Sequence, residues 1–459
     1  MTARLTDSRL YGHLWATSEV RAIFAEDARL QSWLDILAAL AQAQADLGLV
    51  PPEAAGAIVA HADVTLLDLD LVAQETRRTG HSTLGLIRGL QAVLPSVARE
   101  HVYVGATVQD ITDTWTALVM RSVGGIVWRD LRSLEDELIA LAERHRDTAM
   151  AGRTHGQAGA VITFGWKVAT WADEIRRHLE RLRCGADRWL AGQLGGAVGT
   201  AAFFGPDAVE LRARFCALLD LPAPRVSWLT TRDRVADFGL ALALVTQTLG
   251  RIGNEIYALA RSDVGELREQ VTVGSVSSIT MPHKRNPERS EHLVTLARLV
   301  LPQAHVLVEG MIGEHERDGR SWKAEWVALP EICLLTATAL AIAGEVLRGL
   351  EVDADRMAAT VEAHRGDLAS ERLLAALTPS VGKHEAQALL QDVLAESRDH
   401  RVPVERALAA AVDARSHLDD TALRAALDAA PDTGAAGAMV DAVVAHARAA
   451  RARESERWP

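Results

Sequence analysis

Residues 276 to 288 read VSSITMPHKRNPE: two serines in a small-residue loop, then Lys284 and Arg285 between two prolines, with Asn286 beside them. Hydroxyls, cations and an amide are gathered within about one turn's reach, and such groups donate hydrogen bonds, hold charge or, when perturbed, move protons. Two further polar islands precede this one. VYVGATVQDITDTW (102–115) sets Thr107, Gln109 and Asp110 just after Gly105 and ahead of a helical run, and GRTHGQ (152–157) carries Thr154 and His155. Each island also has a plainer reading. Thr107 or Asp110 serves equally well as a helix cap, a lone histidine is more often a hydrogen-bonded structural residue, and a serine-rich loop can simply join helices with Lys284 and Arg285 in solvent.

The elements that must hold these islands are helices. LQSWLDILAALAQAQADLGLV (30–50) repeats apolar residues every three or four positions and stops at Gly48 before Pro51 and Pro52. VITFGWKVATWADEIRRHLERL (161–182) sets Val168, Trp171, Ile175, Leu179 and Leu182 on one face, with most of its charges off it. Runs 236–262, 291–312 and 327–350 behave alike, and FGLALALVTQTLGRIGNEIYALA is apolar around most of its circumference, which predicts a helix at the centre of a bundle. Alternating strand patterns are short and scattered, so the expected fold class is all-α. DAAPDTGAAG is expected to break the alanine-rich tail before a last helix.

At 459 residues the chain should form two or three packed units. Its formal net charge of -12, with acids and bases interspersed, disfavours nucleic acid or an anionic membrane as a partner. Cys184, Cys216 and Cys333 lie far apart without CxxC spacing, so a reducing, cytoplasmic location fits. The opening MTARLTDSRLYGHLW lacks an apolar signal core, and membrane spanning is not expected. Neither a metal nor another cofactor is expected, since no HExxH, carboxylate cluster or Cys/His spacing occurs.

Taken in order, the GATVQD, GRTHGQ and SSITMPHKRNP stretches resemble the fumarase/aspartase superfamily, whose signature at the third island reads GSSxMPxKxNP. QLGGAVGT (193–200), TTRDRVADF (230–238) and EHERDGRSWKAEWVALPE (314–331) look like its adenylosuccinate lyase and 3-carboxy-cis,cis-muconate cycloisomerase branch. The resemblance implies an N-terminal helical domain (1–104), a central long-helix bundle (105–350) and a C-terminal helical domain (351–459). It also implies a homotetramer with a twenty-helix core and active sites shared between subunits.

Members of that superfamily remove a proton beside a carboxylate of a succinate-like substrate and expel the neighbouring substituent, usually leaving fumarate. The dianion formed on the way needs preorganised cations and N–H donors. By resemblance Lys284 and Asn286 supply these, and Ser278 is the base, with Ser277 as the alternative. An unperturbed hydroxyl is far too poor a base near neutrality, so the same positive field must act on it. His155 matches the histidine near the leaving group, Glu291 the glutamate that orients it, and His81, in TRRTGHSTLG, the general-acid histidine of adenylosuccinate lyases. Thr107, Gln109, Thr154, Gln193 and Arg317 are expected to bind substrate.

Departures narrow the substrate. Ile279 replaces a serine of the signature, Val108 removes a hydroxyl, and Tyr103 stands where adenylosuccinate lyases carry histidine. Leu10-Tyr11 replaces the Arg-Tyr pair that grips a nucleotide phosphate, while Trp322 and Trp326 replace a serine and an arginine. A phosphate needs charge-assisted donors, so the expectation is a carbon–nitrogen lyase acting on a small dicarboxylate. Nitrosuccinate lyase activity, yielding nitrite and fumarate, fits best, with a hydrazinosuccinate-type substrate close behind. Cycloisomerase and adenylosuccinate lyase activities are the alternatives, and a non-catalytic scaffold the least expected. Proteobacterial cycloisomerases commonly carry tryptophan and asparagine where this chain keeps His155 and His81.

Overall fold

The computed structural model describes residues 4–271, 274, 278–418, 420–427 and 432–459. Helices dominate, and those used below are labelled in chain order: α1 (Glu26–Asp46), α2 (Leu69–Thr79), α3 (Leu84–Val93), α4 (Val108–Arg144), α5 (Phe164–Trp189), α6 (Asp233–Leu259), α7 (Glu288–Glu309), α8 (Gly319–Arg348) and α9 (Ala436–Arg453). The expected helical runs are present with ends moved by several residues. α1 begins at Glu26, before the first apolar repeat, because Ala25 is already extended and two acids fill the first turn. α5 begins where the Thr163 side chain accepts the Trp166 N–H at 3.0 Å.

Among the described residues, four strands interrupt the helices. β1 (Ala149–Thr154) and β2 (Gln157–Thr163) form an antiparallel hairpin between α4 and α5, and β3 (Leu267–Arg268) pairs with β4 (Glu351–Val352). The five long helices α4 to α8 make the bundle: α4 lies against α5 and α8, α6 against α5, α7 and α8, and α7 against α8. α6 and α8 are long and apolar enough to cross a membrane, yet their most apolar windows are 72% and 78% buried inside the bundle. They are its core helices.

The apolar packing groups the chain differently from a simple three-part division. One cluster runs from Ala16 to Met357 without a break at residue 105, since Trp33 of α1 meets Trp115 of α4 edge to face. Residues 369 to 427 hold a second cluster around Leu373, Leu377, Val393 and Leu408. The last helix, α9, returns from there to the first cluster, burying Val440, Val444 and Ala447 on α4 and α5. Beyond α9, Glu454 accepts from Arg176 at 2.5 Å, and Arg176 is itself bound by the fully buried Glu135 at 2.5 and 2.6 Å. The apolar face of α9 thus finds its partner on the long helices.

Candidate active site

The first island sits at the N-terminal end of α4. Gly105 turns the chain at φ +73°, and a Cβ there would lie 2.5 Å from the rings of both Phe203 and Phe204, so only glycine fits. Thr107 is then the N-cap of α4, and Asp110 accepts its N–H at 2.9 Å. The same carboxylate accepts the N–H groups of Gly195 and Gly196 at 2.8 and 3.0 Å and the Gln193 amide at 3.3 Å. Asp110 thereby pins the QLGGAVGT loop to the start of α4. Burial nevertheless pushes its carboxyl up to about 6, against the lowering by those donors. Between the loops opens a cavity of about 360 Å³ lined by Thr107, Gly195, Gly196, Val198, Phe203 and Arg317. Arg317 donates to Thr107 Oγ1 at 2.5 Å, which aims a cation at the positive end of α4. An anion entering there meets a guanidinium, a hydroxyl and a helix N-terminus.

Gln109 and Gln193, both expected to bind substrate, are fully buried; their side-chain N–H groups donate within the chain, while Gln109 Oε1 has no hydrogen-bond partner. Gln109 donates to Leu229 O and Asp113 at 3.0 and 3.2 Å. Gln193 donates to Ser227 Oγ at 2.7 Å and accepts the Trp228 N–H at 2.8 Å. They build the wall behind the cavity. His81, between α2 and α3, is exposed; its Nδ1 accepts the Leu84 N–H at 3.2 Å, which leaves any ring proton on Nε2. Beside it Tyr103 is held at φ +65°, a strained value for an aromatic residue, with burial pushing its phenol up to about 12.

The other two islands lie at the opposite end of the bundle. Thr154 pairs with Gln157 across a two-residue turn in which His155 and Gly156 have φ of +52° and +78°. Positive φ at both positions is the signature of a type I′ hairpin turn, so the fold sets His155 and Thr154 on an exposed tip. Arg153 fastens this hairpin through a bidentate pair with the buried Glu266 at 2.7 and 3.0 Å. Three residues further on, Glu269 accepts from the first turn of α7. In the loop between, Ser278 Oγ accepts the Met281 N–H at 3.0 Å, Lys284 is exposed, and Asn286 Nδ2 donates to Glu288 at 3.4 Å. Glu291 is exposed on the first turn of α7. Ser277 lies outside the described residues.

A single chain therefore gathers Thr107, Arg317 and His81 at one end, and Thr154, His155, Ser278, Lys284, Asn286 and Glu291 at the other. α4 alone separates the ends by 37 residues, about 55 Å at helical rise. Reading residue types along the sequence could not reveal this, and it also missed Glu266 and Glu269, whose signal was two acids in VGELREQ, shortly before the third island. A further omission is the buried triad in which Arg232 donates to Asp113 at 2.8 and 3.0 Å and to Glu325 at 2.5 and 2.8 Å. It locks α4, α6 and α8 together behind the cavity. Among the described residues no group of three His, Cys, Asp or Glu side chains could hold a metal ion.

Long helices with polar loops gathered at their ends define an all-α bundle architecture. Comparison with known proteins agrees. A family described as Lyase matches residues 14–301. The chain is 37% identical over 447 residues to an N-acetyl-S-(2-succino)cysteine lyase of Dickeya dadantii, spanning 97% of this chain and 98% of that one. It is 38% identical to a nitrosuccinate lyase of Streptomyces davaonensis over 96% of this chain and 95% of the relative. A crystal structure of 3-carboxy-cis,cis-muconate lactonizing enzyme from Pseudomonas putida superimposes with a TM-score of 0.88 at 32% identity, covering 96% and 99% of the two chains. The chain belongs to the fumarase/aspartase superfamily of lyases, and its fold is the all-helical one of that superfamily.

Proposed function

We propose that the protein eliminates a heteroatom substituent from a 2-substituted succinate and releases fumarate, in a site completed by copies of the same chain in a homotetramer. The observation that carries the reading is the loop around Ser278. Its Oγ already accepts a backbone N–H, from Met281 at 3.0 Å, with Lys284 and Asn286 a few residues on. A hydrogen bond of that sense stabilises the alkoxide over the hydroxyl, as a serine base requires. Ser278 takes the proton from the carbon beside one carboxylate. Lys284 and Asn286 meet the charge that develops on that carboxylate. Arg317, Thr107 and the start of α4, contributed by another copy, hold the anionic end of the substrate. His155, oriented by Glu291, and His81 attend the departing heteroatom, and Thr154 binds beside His155.

The leaving group is small and carries no phosphate. Leu10 and Tyr11 are 73% and 54% exposed and offer no cation, and Trp322 is buried edge to face against Trp326 where a polar grip would be needed. We read the bond cleaved as carbon–nitrogen, with nitrosuccinate as substrate, supported by the likeness to a nitrosuccinate lyase. A carbon–sulfur bond is the second reading. It is supported by the N-acetyl-S-(2-succino)cysteine lyases, 37% and 38% identical over almost the whole chain, and by an apolar cavity rim of Val198 and Phe203 that suits an acylated thioether. The cysteines, unpaired in the structure, fit a cytoplasmic enzyme.

Purified protein offered succinates bearing nitro, hydrazino, amino, S-linked N-acetylcysteine and adenylyl groups is expected to generate fumarate absorbance with the nitro or the thioether compound. Silence with all five, together with loss of diene absorbance from 3-carboxymuconate, would make it a cycloisomerase instead.

A further inference from the structure

We propose that Glu269 is a positioning residue for this site: its carboxylate caps α7 from across the loop and thereby fixes the take-off of the segment presenting Ser278, Lys284 and Asn286. The inference rests on the reading of Ser278 given above. An α-helix leaves its first N–H groups without partners, and a side chain at the N-cap ordinarily serves them. The N-cap of α7 is Pro287, which supplies no such bond. Glu269 does so instead, from twenty residues earlier in the chain. Its Oε1 accepts the Ser290 N–H at 2.7 Å and the Ser290 hydroxyl at 2.5 Å, and its Oε2 accepts the Arg289 N–H at 3.3 Å. Ser290 is fully buried, so these bonds are shielded from water.

The anchoring is rigid on the other side as well. Glu269 follows β3, where Leu267 is fully buried and Arg268 pairs with Asp353 at 3.0 Å. A charged cap at a helix N-terminus is further favoured by the helix dipole. Both stems of the loop are thus joined at one carboxylate, and Glu291 stands one residue beyond the clamp, on the same helical turn. Removing the clamp leaves the anion-holding groups at the other end of the bundle untouched, so substrate affinity and turnover should separate.

The test compares Glu269→Ala, Glu269→Gln and Ser290→Ala in the full-length oligomer, with fumarate release on the best substrate of the panel. The geometry predicts that Glu269→Ala lowers kcat by about 100-fold while KM moves by no more than about threefold, the scale expected when a base is displaced by roughly 1 Å. Glu269→Gln keeps an acceptor for both short bonds to Ser290 and should recover most of that loss. If Glu269→Ala does not fold, the same separation of kcat from KM is sought in Ser290→Ala, which removes only the hydroxyl bond. Unchanged kcat in these variants, or a loss that merely tracks the folded fraction at the assay temperature, would overturn the inference. Ser278→Ala run alongside keeps the two ideas apart. If it is inactive while Glu269→Ala is normal, only the positioning role fails. If it is fully active, the reading of the site itself fails.

Discussion

Mixing chains carrying Arg317→Ala with chains carrying Ser278→Ala is expected to restore activity that neither variant has alone. Arg317 bonds to Thr107 at the start of α4, whereas the loop with Ser278 leaves from β3, which Glu266 ties to the hairpin following the end of α4. The 37 residues of α4 put about 55 Å between those ends, far beyond the span of a small dicarboxylate. On the proposed reading, a working site takes Arg317 from one chain and Ser278 from another. In randomly mixed symmetric oligomers at equal amounts, each contribution is intact half the time, so about one quarter of the sites should be whole. Co-expressing the two variants with different tags, isolating doubly tagged oligomers and following fumarate absorbance reads this out, at slightly above one quarter because oligomers of a single variant are discarded. Doubly tagged oligomers as inactive as the separate variants would refute the reasoning, because both residues would then have to act from the same chain.

Other outcomes follow from the buried charges. His178, buried with Nε2 on Thr248 Oγ1 at 2.7 Å and Nδ1 facing Arg181 at 2.7 Å, is pushed down to about 4 by burial first and Arg181 second. The unfolded chain binds that proton near the ordinary 6.5, so stability falls as pH drops from 6.5 toward 4, by up to about 3 kcal/mol from this group. His178→Gln should remove that share of the acid sensitivity, as read by urea unfolding at pH 7 and pH 4.5; equal acid losses in both proteins would contradict it. Arg232→Ala strands Asp113 and Glu325 as two buried carboxylates and should destabilise by about 3–5 kcal/mol. Burial holds both carboxyls above their usual range, so the damage should shrink as acid protonates them; thermal unfolding that is unaltered at neutral pH would count against the triad.

Much of this architecture was legible because helices announce themselves by spacing. The apolar repeats at Trp33, Leu37 and Leu40, or Val168, Trp171 and Ile175, each became a buried face. The three polar islands were legible as breaks in that spacing. What residue types could not convey was direction. Gln109 and Gln193 sit in the polar stretches, but the sequence does not show that Gln109 donates to the Leu229 carbonyl, that Gln193 accepts the Trp228 N–H, or that Gln109 Oε1 is left without a partner. His155 was visible as a histidine, though not as the first residue of a two-residue turn, which the following Gly156 could have signalled. Nor does an alanine-rich amphipathic helix carry the address of its partner, which is why the return of α9 to α4 and α5 appears only in three dimensions. The distance between the islands belongs to the same class: it depends on how often the chain reverses, and a motif reading contains no such count.

The sharpest measurement is fumarate release by Ser278→Ala, made on an oligomer shown by sedimentation to be the same size as the parent. The account predicts a fall in turnover of at least about 1,000-fold with substrate still bound, since removing a base leaves the anion-holding groups in place. Turnover at the parental rate would contradict it and hand the proton to another side chain.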